Sequence, residues 1–135
     1  MNNATSKALE RVHSGSSFER DIGYARAVYD DAYVFVSGTT GYDYTTMQIP
    51  ADPVAQAEQA CRNIESALQE AGASLADVVR VRYLFADRND FEPCWPVLRR
   101  YFGASPPAAT MLVAGLYDPA MKLEIEVTAR RPQAS

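Results

Sequence analysis

Lys122 to Ala129 alternates polar and apolar residues, so Lys122, Glu124, Glu126 and Thr128 share one face of a strand and Leu123, Ile125, Val127 and Ala129 the other. Two carboxylates on one face either belong to a solvated sheet surface or, where one lies in a cleft, can orient or deprotonate a small ligand. Upstream, Tyr24 and Arg26 stand two residues apart on another predicted strand and so point the same way. The following strand runs into Ser37-Gly38-Thr39-Thr40-Gly41. Its glycines permit unusual backbone angles, and its hydroxyls and amides can bond a ligand or simply close a turn. The turn lacks the lysine and spacing of a phosphate-binding loop, which argues against a nucleotide. Trp95 lies where a predicted helix starts, a position that serves either the core or the wall of a pocket.

The composition narrows the chemistry further. At 135 residues the chain has the length of one ordinary domain, and 47% apolar residues suffice for a core. A net charge of −4, with no basic run, argues against a nucleic-acid partner. Cys61 and Cys94 fall in separate helical segments and match no metal or redox spacing, so they read as small buried thiols of a reducing compartment. His13, the one histidine, lies near the amino end, and no triad or histidine-based metal site can be assembled around it. No segment has the length and apolarity of a signal peptide or a membrane span, so the expectation is a soluble, cytoplasmic protein that needs neither metal nor cofactor.

These residues need a scaffold. Residues 1–10 are expected to be disordered and 11–131 to form a single domain, with Arg11 to Glu19 a candidate edge strand. Ile22–Val28 and Ala32–Ser37 read as a hairpin turning at Asp30 and Asp31. Asp52-Pro53 marks a helix start, with aspartate as N-cap and proline at the first helical position. Val54, Ala57, Cys61, Ile64, Leu68 and Ala71 follow at helical spacing, and Gly72 ends the helix. Ser74 and Asp77 suggest a capping arrangement. Val78–Ala86 reads as a strand with Val79, Val81, Tyr83 and Phe85 on one face and Arg80, Arg82 and Leu84 on the other. A second helix follows, its first turn placed near Pro93 because Pro93 and Pro96 both lack the amide donor a helix interior requires. Thr110–Leu116 and Lys122–Ala129 close the chain as two strands joined by a proline-bearing turn. The order ββαβαββ implies a two-layer α+β domain with helices on one sheet face. Symmetric self-association is the usual cover for the other face.

Several short matches, in order, resemble the RidA/YjgF family. They are Gly23-Tyr24 with Ala27-Val28, Val36-Ser37-Gly38, Gln59 and Asn63, Ala71-Gly72-Ala73-Ser74 with Asp77-Val78-Val79, Asp90-Phe91, Tyr101-Phe102, Pro107-Ala108, and Glu124-Ile125-Glu126 with Ala129. The resemblance covers about Gly23 to Ala129. It implies a chorismate-mutase-like fold, a homotrimer with a central sheet barrel, and three small-molecule clefts between subunits. The best-known members hydrolyse reactive enamines or imines such as 2-aminoacrylate to a ketoacid and ammonia. In that pattern Tyr24, Ser37 and Glu124 match cleft positions, Glu124 holding or activating water. The family's carboxylate-binding arginine, however, falls at Ala109, and its cleft asparagine falls at Trp95. The chain therefore looks like a branch that lacks the arginine.

Two functions remain open on this reading. One is an imine or enamine hydrolase of changed substrate, with Glu124 working on water, Ser37, Thr39 and Tyr24 bonding the polar end, and Trp95 covering an apolar part. Arg26 is the candidate replacement for the lost arginine, with a surface or interface salt bridge as its alternative role. The other function is a trimer that binds a metabolite or partner without turnover. A standard 2-aminoacrylate deaminase is not expected, and RNA cleavage has little support in an acidic chain.

Overall fold

Leu123, Ile125 and Ala129 have no exposed surface and Val127 almost none, because the strand that carries them, β6 (Leu123–Arg130), lies inside the sheet rather than at its edge. The computed structural model describes residues 8–133. Its one sheet has six strands in the order β1-β2-β3-β6-β4-β5. The other strands are β1 (Glu10–Val12), β2 (Ala27–Tyr29), β3 (Tyr33–Thr39), β4 (Val78–Phe85) and β5 (Ala108–Val113). All neighbours are antiparallel except β4 and β5, whose parallel pairing is made possible by the crossover helix between them. The expected ββαβαββ order is therefore present, with β1 added at the edge.

Two helices, α1 (Pro53–Glu70) and α2 (Phe91–Phe102), cover one face of the sheet. The Asp52 carboxylate caps α1 by accepting from the Ala55 amide (3.0 Å), and the chain leaves the helix through Gly72 at φ +78°. Ala57, Ala60, Cys61, Ile64 and Leu68 face the sheet with no exposed surface. The Ser74–Asp77 capping box is present. Burial pushes the thiols up, Cys61 to about 12 and Cys94 to about 11, so both stay protonated at neutral pH.

Several local expectations are corrected. Residues 22–26 are not strand: a π-helical turn at Glu19–Gly23 ends at Gly23, φ +97°, and only Ala27–Tyr29 pairs with β3. β1 begins at Glu10, inside the stretch expected to be disordered, while residues 1–7 lie outside the described residues. Val79 is 41% exposed instead of joining Val81, Tyr83 and Phe85 in the core. A register shift between Val78 and Arg80 makes Val78 the inward residue. α2 begins at Phe91 and keeps Pro96 inside, beyond its first turn. β5 and β6 are not neighbours, since β4 stands between them.

The opposite sheet face is open. It carries Phe35 (52% exposed), Leu112 (42%), half-buried Leu84, and an Arg82–Glu126 pair at 3.6 Å. No helix of the described residues is long and apolar enough to cross a membrane.

Two amides of α1 tie the loops that surround the sheet end. Asn63 donates to the carbonyls of Thr40 (3.1 Å) and Tyr42 (2.8 Å), with Gln59 bonded to it in turn. Gln56, fully buried, donates to the carbonyls of Pro50 (2.7 Å) and Ala120 (2.8 Å) and accepts from the Lys122 amide (2.9 Å). Gly41 passes so close that a Cβ there would lie 2.6 Å from the Gln56 Cα. Gln56→Leu leaves two carbonyls and an amide without partners and should cost about 2–4 kcal/mol in denaturant unfolding. Asp52→Ala, which removes one exposed cap, should cost about 1 kcal/mol in the same measurement.

Candidate functional site

Glu124 lies on β6 opposite Leu84 of β4, on the open face. Its carboxylate rests against β3 where that strand has no side chain: a Cβ on Gly38 would fall 2.5 Å from Glu124 Oε1. Glycine at 38 is thus what admits the carboxylate. Burial is the main influence on Glu124 and raises its pKa above the usual glutamate value, an effect that the charge of Arg26 opposes and that of Glu126 reinforces.

Arg26 lies immediately behind. Only 1% exposed, it is the largest fully buried side chain among the described residues. Its Nε donates to the Glu19 carboxylate (3.3 Å), Nη1 to the Gly38 carbonyl (2.8 Å) and Thr39 Oγ1 (3.1 Å), and Nη2 to the Tyr24 hydroxyl (3.4 Å). Its guanidinium stacks on Tyr44, 4.4 Å from the ring centroid. Glu19 is held in turn by the Ser14 amide (3.1 Å), the Ser14 hydroxyl and His13 Nδ1 (3.2 Å). Arg26 is therefore an internal strut. A direct two-pronged grip on a ligand carboxylate would require it to release these partners.

In front of Glu124 is a cavity of about 110 Å³ lined by Phe18, Ile22, Tyr24, Gly38, Thr40, Tyr44, Tyr117, Met121 and Glu124. Burial raises the pKa of the Tyr24 hydroxyl, which keeps it a proton donor at neutral pH. The Tyr44 hydroxyl accepts from the Thr40 amide (3.0 Å) and shares a hydrogen bond with the Thr40 hydroxyl (3.2 Å). Tyr117 is 85% exposed and meets Phe18 edge to face at 6.2 Å.

The residues singled out from sequence divide into two groups. Tyr24, Arg26, Ser37, Thr39 and Glu124 gather around Gly38. Within this group Ser37 donates its hydroxyl to the Ala25 carbonyl (2.7 Å). Thr39 is fully buried and donates to the Ser37 carbonyl (2.7 Å). The register shift between Val36 and Thr39 turns Thr39 inward and leaves Thr40 to line the cavity. Trp95 and Ala109 lie elsewhere. Trp95, 47% exposed, walls a second, apolar cavity of about 280 Å³ with Tyr83, Phe91, Leu98, Phe102 and Pro107. Ala109 is exposed on edge strand β5, opposite Val81 of β4. Sequence reasoning missed Phe18, Thr40, Tyr44, Tyr117 and Met121. Only Thr40 carried a signal, as the third hydroxyl of the glycine turn after Ser37 and Thr39.

The sequence matches the family model described as endoribonuclease L-PSP over residues 15–131. The chain belongs to the RidA/YjgF family. Human 2-iminobutanoate/2-iminopropanoate deaminase is 32% identical over 126 residues, 92% of each chain. An uncharacterized Streptomyces coelicolor protein is 33% identical over 128 residues, 94% of this chain and 96% of that one. A Mycobacterium tuberculosis crystal structure, described as a YjgF-family member, is 39% identical with a TM-score of 0.82, covering 91% of this chain and 99% of the other.

For a RidA/YjgF family chain the division above is informative. The positions that the family resemblance assigns to Tyr24, Ser37 and Glu124 lie at one flank of the protomer, and those assigned to Trp95 and Ala109 at another.

The raised pKa of Glu124 has a testable sign. The folded state holds this proton more tightly than the unfolded chain, so ionising Glu124 costs stability. The cost is absent below the unfolded glutamate pKa, grows as pH rises through the interval to the folded value, and is complete above it. Glu124→Gln should therefore raise Tm at about pH 8, and the gain should shrink towards zero near about pH 4.

Proposed function

We propose that the protein is a RidA/YjgF-type homotrimer whose inter-subunit clefts hydrolyse a small imine or enamine, with Glu124 as general base. The observation that carries this reading is the half-buried Glu124 carboxylate seated over Gly38, at a cavity that Tyr24 also lines. A carboxylate whose pKa is raised above the usual glutamate value is a stronger proton acceptor, when ionised, than a solvated one. It takes a proton from water as the oxygen adds to the C=N carbon. The carbinolamine then collapses, the nitrogen leaving as ammonia with protons returned by Glu124 and solvent, and a carbonyl compound remains. Tyr24 donates to the polar end of the substrate.

The trimer is supported by two features. The open sheet face exposes Phe35 and Leu112, and the two groups of site residues lie on separate flanks, an arrangement that a neighbouring copy would complete. Trp95 and its apolar surroundings would then meet the less polar part of the substrate. Relatives named 2-iminobutanoate/2-iminopropanoate deaminase support the reaction class. The substrate is proposed to differ from 2-aminoacrylate. Ala109 supplies no charge, and the Arg26 donors are engaged within the chain. Losing a charge-assisted bidentate contact of a few kcal/mol weakens carboxylate binding by about two or more powers of ten. That same engagement of Arg26 favours one alternative, a trimer that holds a metabolite without turnover. An endoribonuclease reading, suggested by the family model's name, has less support in a chain with 13 basic against 17 acidic residues.

Carbonyl release from 2-iminopropionate and from bulkier imines without a carboxylate should be followed beside Glu124→Gln. The expected result is faster release from the imines without a carboxylate and a loss of about 10²-fold or more in the variant. Equal rates for wild type, variant and buffer would leave the non-catalytic reading. Sedimentation should give three times the protomer mass.

A further inference from the structure

We propose that the cavity at Glu124 is a cation pocket that takes a small planar iminium, amidinium or protonated amine. The inference rests on the site proposed above but not on turnover. Two charged groups influence Glu124, namely Arg26 and Glu126, and each already has an opposite partner: Glu19 at 3.3 Å from Arg26, Arg82 at 3.6 Å from Glu126. Glu124 has no salt-bridge partner of its own among the described residues. Once the pairs cancel, the charge left to develop at the cavity is the negative charge of Glu124, which a bound cation would favour.

The walls suit a positive group as well. Phe18, Tyr24 and Tyr117 bring aromatic rings to the cavity, and Ile22 and Met121 add apolar surface. Ring faces attract cations, the more so where water is displaced. Arg26 illustrates this preference in the same cluster, since its guanidinium already lies 4.4 Å from the Tyr44 centroid and 5.6 Å from that of Tyr24. A ligand carboxylate entering here would meet the Glu124 carboxylate and aromatic rings, with every nitrogen of Arg26 already donating within the chain. A cation would meet complementary groups. At about 110 Å³ the cavity takes a group of a few heavy atoms, not a ring system. Such a pocket would admit the nitrogen end of a substrate as its protonated, more electrophilic form.

Acetamidinium, acetamide and acetate form a test set of nearly equal size and shape that differs in charge. Titration of the full-length protein with each, followed by amide chemical shifts, should give acetamidinium about ten-fold or more tighter binding than acetamide. Acetate should be weaker still, and all shifts should centre on Gly38, Thr40 and Tyr24. Glu124→Gln should abolish the preference for acetamidinium over acetamide. Tyr117→Ala removes an exposed wall, so the fold should survive it; acetamidinium should weaken several-fold and acetamide little. Acetate binding as tightly as acetamidinium would overturn the proposal, as would a Glu124→Gln variant that keeps the preference. Acetamidinium binding with no carbonyl release from any imine would uphold the pocket while rejecting the hydrolase. Carbonyl release that depends on Glu124 without any preference for acetamidinium would do the reverse.

Discussion

The contact between Arg26 and Glu19 is the constraint on which the candidate site depends. Both side chains are almost entirely withdrawn from solvent, and a buried charge left without its partner costs about 3–5 kcal/mol. The pair is tolerated because nearly every polar atom finds a use. Arg26 supports the Gly38 carbonyl and the Tyr24 hydroxyl, while Glu19 closes the Ser14 segment over it. This explains why residues 19–23 coil in a π-helical turn instead of extending β2. The turn delivers Glu19 to Arg26 and frees Tyr24 to face the cavity.

That arrangement also gives each residue near Gly38 a distinct part. Glu124 can rest against β3 because Gly38 offers no side chain there. Thr39 and Ser37 hold the strand ending together through their hydroxyls. Asn63 fixes the carbonyls of the same turn from the helical layer, and Gln56 does likewise for the loop that brings Tyr117 and Met121 to the cavity. The polar residues of α1 thus position the site without entering it.

The sequence made the frame legible wherever a short-range rule governs it. Alternation revealed β6, and Asp52-Pro53 with Gly72 bounded α1. The order of short motifs identified the family and led to Glu124. Departures arose where tertiary contacts override local pattern. Shifts of register turned Val79 outward and Thr39 inward, effects invisible to a period-two reading. Pro96 remained helical because a single missing bond inside α2 is outweighed by burial of Cys94, Val97 and Leu98. Arg26 on a strand bearing Tyr24 suggested a hand extended to a ligand. Its actual role depends on Glu19, seven residues away and brought near by a turn that no periodicity announces. Tyr117 and Met121 come from a loop set by Gln56, and Phe18 from the turn that leads into Glu19; such segments carry little pattern.

The place of β6 between β3 and β4 has a consequence for how the chain reaches this fold. β6 comes after every other strand in the chain, yet it joins the two halves of the sheet. Until it docks, β3 and β4 each present an unpaired edge, and Val34, Val36, Val81 and Phe85 have no neighbour on that side. Closure therefore waits on contacts across large sequence separations, which makes folding slow and leaves adhesive edges exposed meanwhile. The strand that supplies the candidate catalytic carboxylate is also the one that ends this vulnerable interval, so Glu124 enters its place only as the sheet becomes whole.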